Sequence, residues 1–159
     1  MPRVKSRMQG KICMVTGANS GIGKATALAL AQLGATVVMV CRDRARGEEA
    51  KSEITTKSRK NAVDLLLADL SSQQSIRHLV EHFQHHSTHL HVLINNAGAT
   101  FPGRRETVDG LEMTFAVNYR RLSCSHMCCS MCSKPARQHG LSMSVLLHKH
   151  QVTFSWMIV

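Results

Sequence analysis

Nowhere does the chain carry an apolar run approaching the roughly 20 residues that a membrane span needs. Its basic start, Met1-Pro2-Arg3-Val4-Lys5-Ser6-Arg7-Met8, is followed by no apolar segment of signal-peptide character, so a cytoplasmic protein without a membrane span is expected. In that setting the six cysteines are expected as reduced thiols rather than disulfides, and Cys13 and Cys41 lie in apolar, strand-like runs that suit small buried hydrophobes. RNP, zinc-finger and helix-turn-helix signatures are also missing, which argues against a nucleic-acid partner despite a net charge of +10. Tyrosine occurs once, at Tyr119, and no acidic residue follows it.

What the chain does have is a globular composition. At 159 residues, 43% hydrophobic and 19% charged, it fits one domain with a sizeable core. Charge is unevenly spread: residues 1–119 hold fifteen Lys/Arg against ten Asp/Glu, while 120–159 hold five against none.

Residues 11–119 alternate strand and helix patterns. Ile12 to Thr16 is a short apolar run, and from Gly21 to Leu33 the residues Ile22, Ala25, Leu28, Ala29 and Leu33 recur at helical spacing until Gly34 stops the helix. A strand at Thr36 to Val40 leads to a charged helix from about Ala45 to Lys57, and a strand at Val63 to Leu67 ends at Asp69. Ser71-Ser72-Gln73-Gln74 fits a capping box ahead of a helix with Ile76, Leu79, Val80 and Phe83 on one face, and Val92 to Ile94 makes a fourth strand. Strands separated by helices imply parallel pairing and a doubly wound Rossmann-type α/β sheet.

The glycine loop Thr16-Gly17-Ala18-Asn19-Ser20-Gly21-Ile22-Gly23 lies between the first strand and the first helix. There the exposed N–H groups and the positive end of the helix dipole favour a pyrophosphate, and glycines let it approach. A nucleotide-triphosphate loop would need glycine in place of Ala18 and a hydroxyl residue in place of Ala25. With Asp69 after the third strand and Asn95-Asn96-Ala97-Gly98 after the fourth, the pattern resembles the short-chain dehydrogenase/reductase superfamily over residues 10–119. The runs Cys41-Arg42-Asp43-Arg44 and Asp109-Gly110-Leu111-Glu112 resemble its retinol-dehydrogenase-like members.

The resemblance implies a task for each matching residue. Gly17, Gly21 and Gly23 would form the pyrophosphate loop, with Asn19, Ser20 and Ile22 near the adenosine. Asp69 would bond the adenine amino group beside Leu70, Asn95 would hold its turn, and Ala97 and Gly98 would line the ribose channel. The first charged residue after the second strand is Arg42, whose planar fork suits a 2′-phosphate, with Arg44 or Arg46 adding charge; NADP is therefore expected ahead of NAD.

The implied reaction is hydride transfer between nicotinamide and a hydrophobic alcohol or carbonyl compound. In the family a Tyr moves the proton, a Lys four residues on lowers its pKa, a Ser steadies the substrate oxygen and an Asn supports a relay. Asn118 matches only the last of these. Four residues after Tyr119 stands Ser123, so the chain contains no Tyr-x-x-x-Lys, and the family's pair belongs well beyond a fifth strand. Two functions stay open: an NADP-dependent oxidoreductase with impaired catalysis, or a non-catalytic dinucleotide- or partner-binding fragment. Four strands of such a sheet would leave the outer edge of the fourth exposed for association.

Residues 120–159 are expected as an irregular tail outside the family pattern, with residues 1–119 forming an incomplete NAD(P)-binding segment. Cys124, Cys128, Cys129 and Cys132, with His126 and His139 nearby, lack paired Cys-x-x-Cys units, so no metal is expected. The genetic code offers an account of the tail. His139 to Leu147 can be encoded as CAC GGA TTG TCA ATG TCA GTT CTT CTG, which read from its third base gives Arg-Ile-Val-Asn-Val-Ser-Ser-Ser, the family's fifth strand with its serine-rich end. The same shift over Ser123 to Gln138 permits an amphipathic helix. A change of reading frame near Tyr119 or Arg120 is the expectation this suggests, and sequencing the transcript tests it. The expected codons carry the family strand in the shifted frame; codons that cannot would overturn it.

Overall fold

Val37 to Cys41 and Cys13 to Thr16 are buried at every position, the pattern of strands covered on both faces. In the computed structural model, which describes residues 8–59, 62–87 and 89–119 together with the strands 141–148 and 151–158, they are the centre of one sheet. Its elements in chain order are β1 (Ile12–Thr16), α1 (Gly21–Gln32), β2 (Thr36–Cys41), α2 (Arg44–Ser58), β3 (Val63–Leu67), α3 (Gln73–His86), β4 (Val92–Asn95), α4 (Met113–Tyr119), β5 (Leu141–His148) and β6 (Gln151–Ile158). The strand order is β3-β2-β1-β4-β5-β6, parallel from β3 through β5.

Strand alternation divides the core between two layers. Cys13, Val15, Val37 and Met39 pack with Ala27 and Ala31 of α1 and with Ala50 and Ile54 of α2. Met14, Val38, Val40 and Leu93 pack with Ile76, Leu79 and Phe83 of α3. Alanines bring α1 close to the sheet, and Gly47 does the same for α2, since a Cβ there would meet Leu65 Cδ2 at 2.8 Å. α1 ends as the spacing predicts: Gly34 has φ +90°, with Gly34 N–H donating to Ala31 O at 3.0 Å and Ala35 N–H to Leu30 O at 3.1 Å. These are the two bonds of a Schellman motif. On the surface Glu53 joins α2 to α1 through Lys24 and also pairs with Lys57 of its own helix, and the hydrogen bonds of both hold its carboxyl down at about 2.

Two expectations change. The cap of α3 is Ser72, one residue later than a Ser71 box, with Ser72 Oγ accepting from Ser75 N–H at 3.4 Å. The outer edge of β4 is not open: Leu141–His148 pairs with it in parallel, and Gln151–Ile158 adds an antiparallel strand beyond, so irregular structure is not what these residues form. The reason is a period-two pattern. Leu141, Met143 and Val145 alternate with Ser142 and Ser144, and Val152, Phe154 and Trp156 alternate with Thr153 and Ser155. Cys124, Cys128, Cys129 and Cys132, where no metal is expected, lie outside the described residues, as does Arg120, while Tyr119 closes α4.

The central strand depends on one side chain from outside it. His91 Nδ1 accepts from Ile12 N–H at 3.0 Å while His91 N–H donates to Ile12 O at 2.9 Å. An accepting Nδ1 assigns the neutral Nε2–H tautomer. Desolvation, then the charges of Lys11 and His89, lower the His91 pKa from 6.5. A depressed folded pKa means that the unfolded chain takes the proton more readily, so this stabilisation is present above about pH 6.5 and fades as the pH falls through the folded value. In urea titrations His91→Phe is therefore expected to be less stable than the parent by about 1 kcal/mol at pH 7.5. That difference shrinks towards pH 5, and one independent of pH would count against the bond.

Candidate functional site

β1 and β4 end side by side, and their ends are tied by Thr16 and Asn96. Thr16 Oγ1 donates to Ile94 O at 3.4 Å and accepts from the N–H groups of Asn96 and Ala97, both at 3.0 Å. Asn96 Nδ2 returns bonds to Thr16 O at 3.0 Å and Gly17 O at 3.3 Å. Asn95 is fully buried at the end of β4, and Asn96 beside it makes these bonds across to Thr16 and Gly17.

Past Thr16 the chain turns through Gly17, whose φ of +66° and whose contact with Ala97 (a Cβ would stand 3.0 Å from its Cα) both require glycine. Gly17 N–H bonds Val40 O at 2.8 Å, fastening the loop to β2. Gly23 sits buried behind the loop, where a Cβ would collide with Asn96 Nδ2 and the Gly17 carbonyl.

Around this loop opens a cleft of about 650 Å³. Gly17, Asn19, Ser20, Gly21 and Ile22 form one wall, Arg42, Asp43 and Arg46 continue it from the end of β2, and Asp69 and Leu70 stand beyond β3. Asn96, Ala97, Gly98, Ala99, Phe101 and Val117 form the opposite side. Of the residues expected from the sequence, Gly23, Asn95 and Asn118 support the cleft without lining it. Asn96, Ala99, Phe101 and Val117 were not expected. They come from loop and helix positions whose proximity leaves no periodic signal.

The helix ends differ in one respect that bears on ligands. α2 is capped by Asp43 Oδ1, which accepts from Arg46 N–H at 3.0 Å, and α3 by Ser72. α4 is capped by Glu112, whose oxygens accept from Thr114 N–H at 2.9 Å and Phe115 N–H at 2.7 Å; those two bonds keep the Glu112 carboxyl below its usual range. α1, whose start faces the cleft, has Ser20 at its N-cap and no side-chain cap bond. Its first-turn amides are thus the uncapped set among the described helices, at the positive end of the dipole.

Asp69 is held by Ser71, whose N–H and Oγ donate to Oδ1 at 2.9 and 2.7 Å, while Asp69 N–H bonds Ser75 Oγ at 2.8 Å. Asn118 forms a two-point clamp on Ala99: Oδ1 accepts from its N–H at 3.1 Å and Nδ2 donates to its O at 2.7 Å. Burial pushes the Cys41 thiol up despite bonds from the Ala18 and Asn19 backbone, and pushes Cys13 up to about 11, so neither is an activated nucleophile. Among the described residues no group of three His, Cys, Asp or Glu side chains is placed to hold a metal, and no helix is long and apolar enough to cross a membrane.

A parallel sheet with a glycine loop at the carboxyl end of its central strand, opening on a cleft at the β1–β4 switch point, defines a dinucleotide-binding α/β protein. A family model described as short chain dehydrogenase matches residues 11–139, and the chain belongs to that family. Within it the chain is similar to the retinol dehydrogenases. Bovine retinol dehydrogenase 12 is 40% identical over 155 residues, 96% of this chain and 49% of that protein. Human dehydrogenase/reductase SDR family member 12 is 50% identical over 113 residues, 70% of this chain and 35% of that protein. The chain thus spans roughly a third to a half of these relatives, and the likeness to the bovine protein continues past Tyr119. Among solved structures, the RhlG/NADP active-site complex of Pseudomonas aeruginosa superposes with a TM-score of 0.68 at 27% identity, covering 80% of this chain and 50% of that one. A short-chain dehydrogenase from Sphingobium yanoikuyae in complex with NADPH gives 0.62 at 30% identity, covering 74% and 46%.

The two loop glycines predict different outcomes. Gly23→Ala inserts a methyl group against backbone and is expected to lower stability by about 1–3 kcal/mol, read as a reduced urea midpoint. Gly21→Ala meets no atom within 4 Å and bears only the strain of φ +54°, about 1 kcal/mol. Equal losses would contradict the packing account of Gly23.

Proposed function

We propose that this chain is the dinucleotide-binding portion of an NADP-dependent short-chain oxidoreductase whose hydride transfer is impaired in this form. The observation that carries the reading is the uncapped start of α1, left open at a cleft of dinucleotide size beside glycines that clear its approach. When bound, the cofactor supplies a hydride exchanged with an alcohol or carbonyl carbon. The chain's own residues bind and orient it. Gly17, Asn19, Ser20, Gly21 and Ile22 receive the pyrophosphate and adenosine side, and Gly23 keeps the space behind the loop clear. Ala97 and Gly98 line the ribose path above Asn95. At the adenine end Leu70 would flank the ring and Asp69 Oδ2 would accept from the amino group, since both hydrogen bonds from Ser71 use Oδ1.

Preference for NADP rests on Arg42, just past β2, and Arg46, in the first turn of α2, which both line the cleft. The neighbouring acid, Asp43, has one oxygen committed to the cap of α2. Two similar solved proteins carry NADP or NADPH in their descriptions. Residues 1–159 hold no Tyr-x-x-x-Lys, the pair that the family places well beyond the fifth strand, and impairment is proposed for these residues by themselves. Loss of general acid–base assistance removes about 10²- to 10⁴-fold of rate. Asn118, the family's relay position, is engaged with Ala99.

The missing pair also favours a second reading, a non-catalytic dinucleotide-binding fragment. Mixing the chain with NADPH and a panel of hydrophobic carbonyl compounds separates the two. Cofactor oxidation supports the impaired enzyme, a fluorescence change without turnover supports the fragment, and no response at all overturns both. Arg42→Ala is expected to weaken NADPH binding about tenfold while leaving NADH unchanged. An equal effect on both cofactors would remove the basis for NADP preference.

A further inference from the structure

The run Asp109-Gly110-Leu111-Glu112 has no part in the cofactor contacts, yet it closes a tight hairpin over residues 105–113. Thr107, buried within it, donates its N–H to Leu111 O at 2.8 Å, and its Oγ1 accepts from the N–H groups of Asp109 and Leu111, both at 3.3 Å. Gly110 turns the tip with φ +73°, and Met113 N–H returns to Arg105 O at 2.8 Å. The hairpin meets both sides of the cleft. At its tip Asp109 Oδ2 accepts from Gln73 N–H, the first residue of α3, at 2.9 Å. At its base Glu112 caps α4, which carries the Asn118 clamp on Ala99.

We infer that Asp109 is a positioning residue, and that the hairpin it anchors is a strut fixing the adenine-side loop Asp69 to Ser72 relative to the opposite wall at Ala99. The inference rests on the dinucleotide reading of the cleft. Its physical basis is continuity: Gln73 at the start of α3 bonds the Asp109 carboxylate, the hairpin backbone leads to Glu112, and Glu112 caps α4, whose Asn118 holds Ala99. The sheet joins the two walls at their base, and the strut adds a second link between them above the strand ends.

The test compares the parent chain with Asp109→Ala and Asp109→Asn, each checked for folding by circular dichroism. Affinities are measured for NADPH and for adenosine 2′,5′-bisphosphate, a probe of the adenosine half, at a temperature well below unfolding. Hydrogen exchange is followed at the amides of residues 73–76. The alanine variant is expected to exchange faster there and to bind both ligands about five- to tenfold more weakly, with asparagine restoring most of the affinity because its carbonyl still accepts from Gln73. Faster exchange with parental affinity for both ligands would make Asp109 an ordinary helix cap and overturn the strut. A parent chain that binds neither ligand would sink the dinucleotide reading itself, and with it the inference.

Discussion

The arrangement around the cleft depends on one hydroxyl group. Thr16 Oγ1 donates to the carbonyl of Ile94 and accepts from two successive amides of the next turn, so the carboxyl ends of β1 and β4 are held at a fixed offset. Asn96 then bonds back across the loop, and the absence of side chains at Gly17 and Gly23 lets these strands come close enough for that to happen. A larger group at any of these positions would separate the strand ends and displace the start of α1. The open amides, the cleft and the register of the two strands are therefore consequences of the same contact.

Electrostatics follows the same geometry. Three helix starts are satisfied internally by Asp43, Ser72 and Glu112, while the fourth points its unused N–H groups at the cleft. Arginines at the end of β2 extend that positive field along one wall, and Asp69 sits at the far end with its orientation fixed by Ser71. A long anionic ligand with a hydrogen-bond donor at its remote end matches this order. A compact anion would leave Asp69 unused.

Much of this was legible in the sequence. The apolar runs at Ile12, Thr36, Val63 and Val92 are short, and each is punctuated by glycine or a charged residue, so strand positions, helix type and parallel order followed from pattern alone. The fifth and sixth strands leave little trace in the sequence, because the tail's composition, rich in Cys, Met and His and devoid of acid, masks its pattern. Its alternation runs for only about five residues at a time, and hydroxyl residues weaken it. Asn96, Asn118 and Asp109 act through side-chain bonds to backbone far along the chain. Spacing rules register neighbours at three, four or two residues and carry no trace of such bonds.

The Thr16–Asn96 lock joins positions 80 residues apart. Loop closure over that distance is among the costlier steps in assembling the sheet, and it rewards the chain only after β4 has been placed against β1. The glycine loop therefore has its final shape only late in folding, when most of the core already exists. Any ligand that requires that shape acts as a brake on reopening: it draws population from partly assembled states, and the lifetime of the complete sheet becomes a function of ligand concentration.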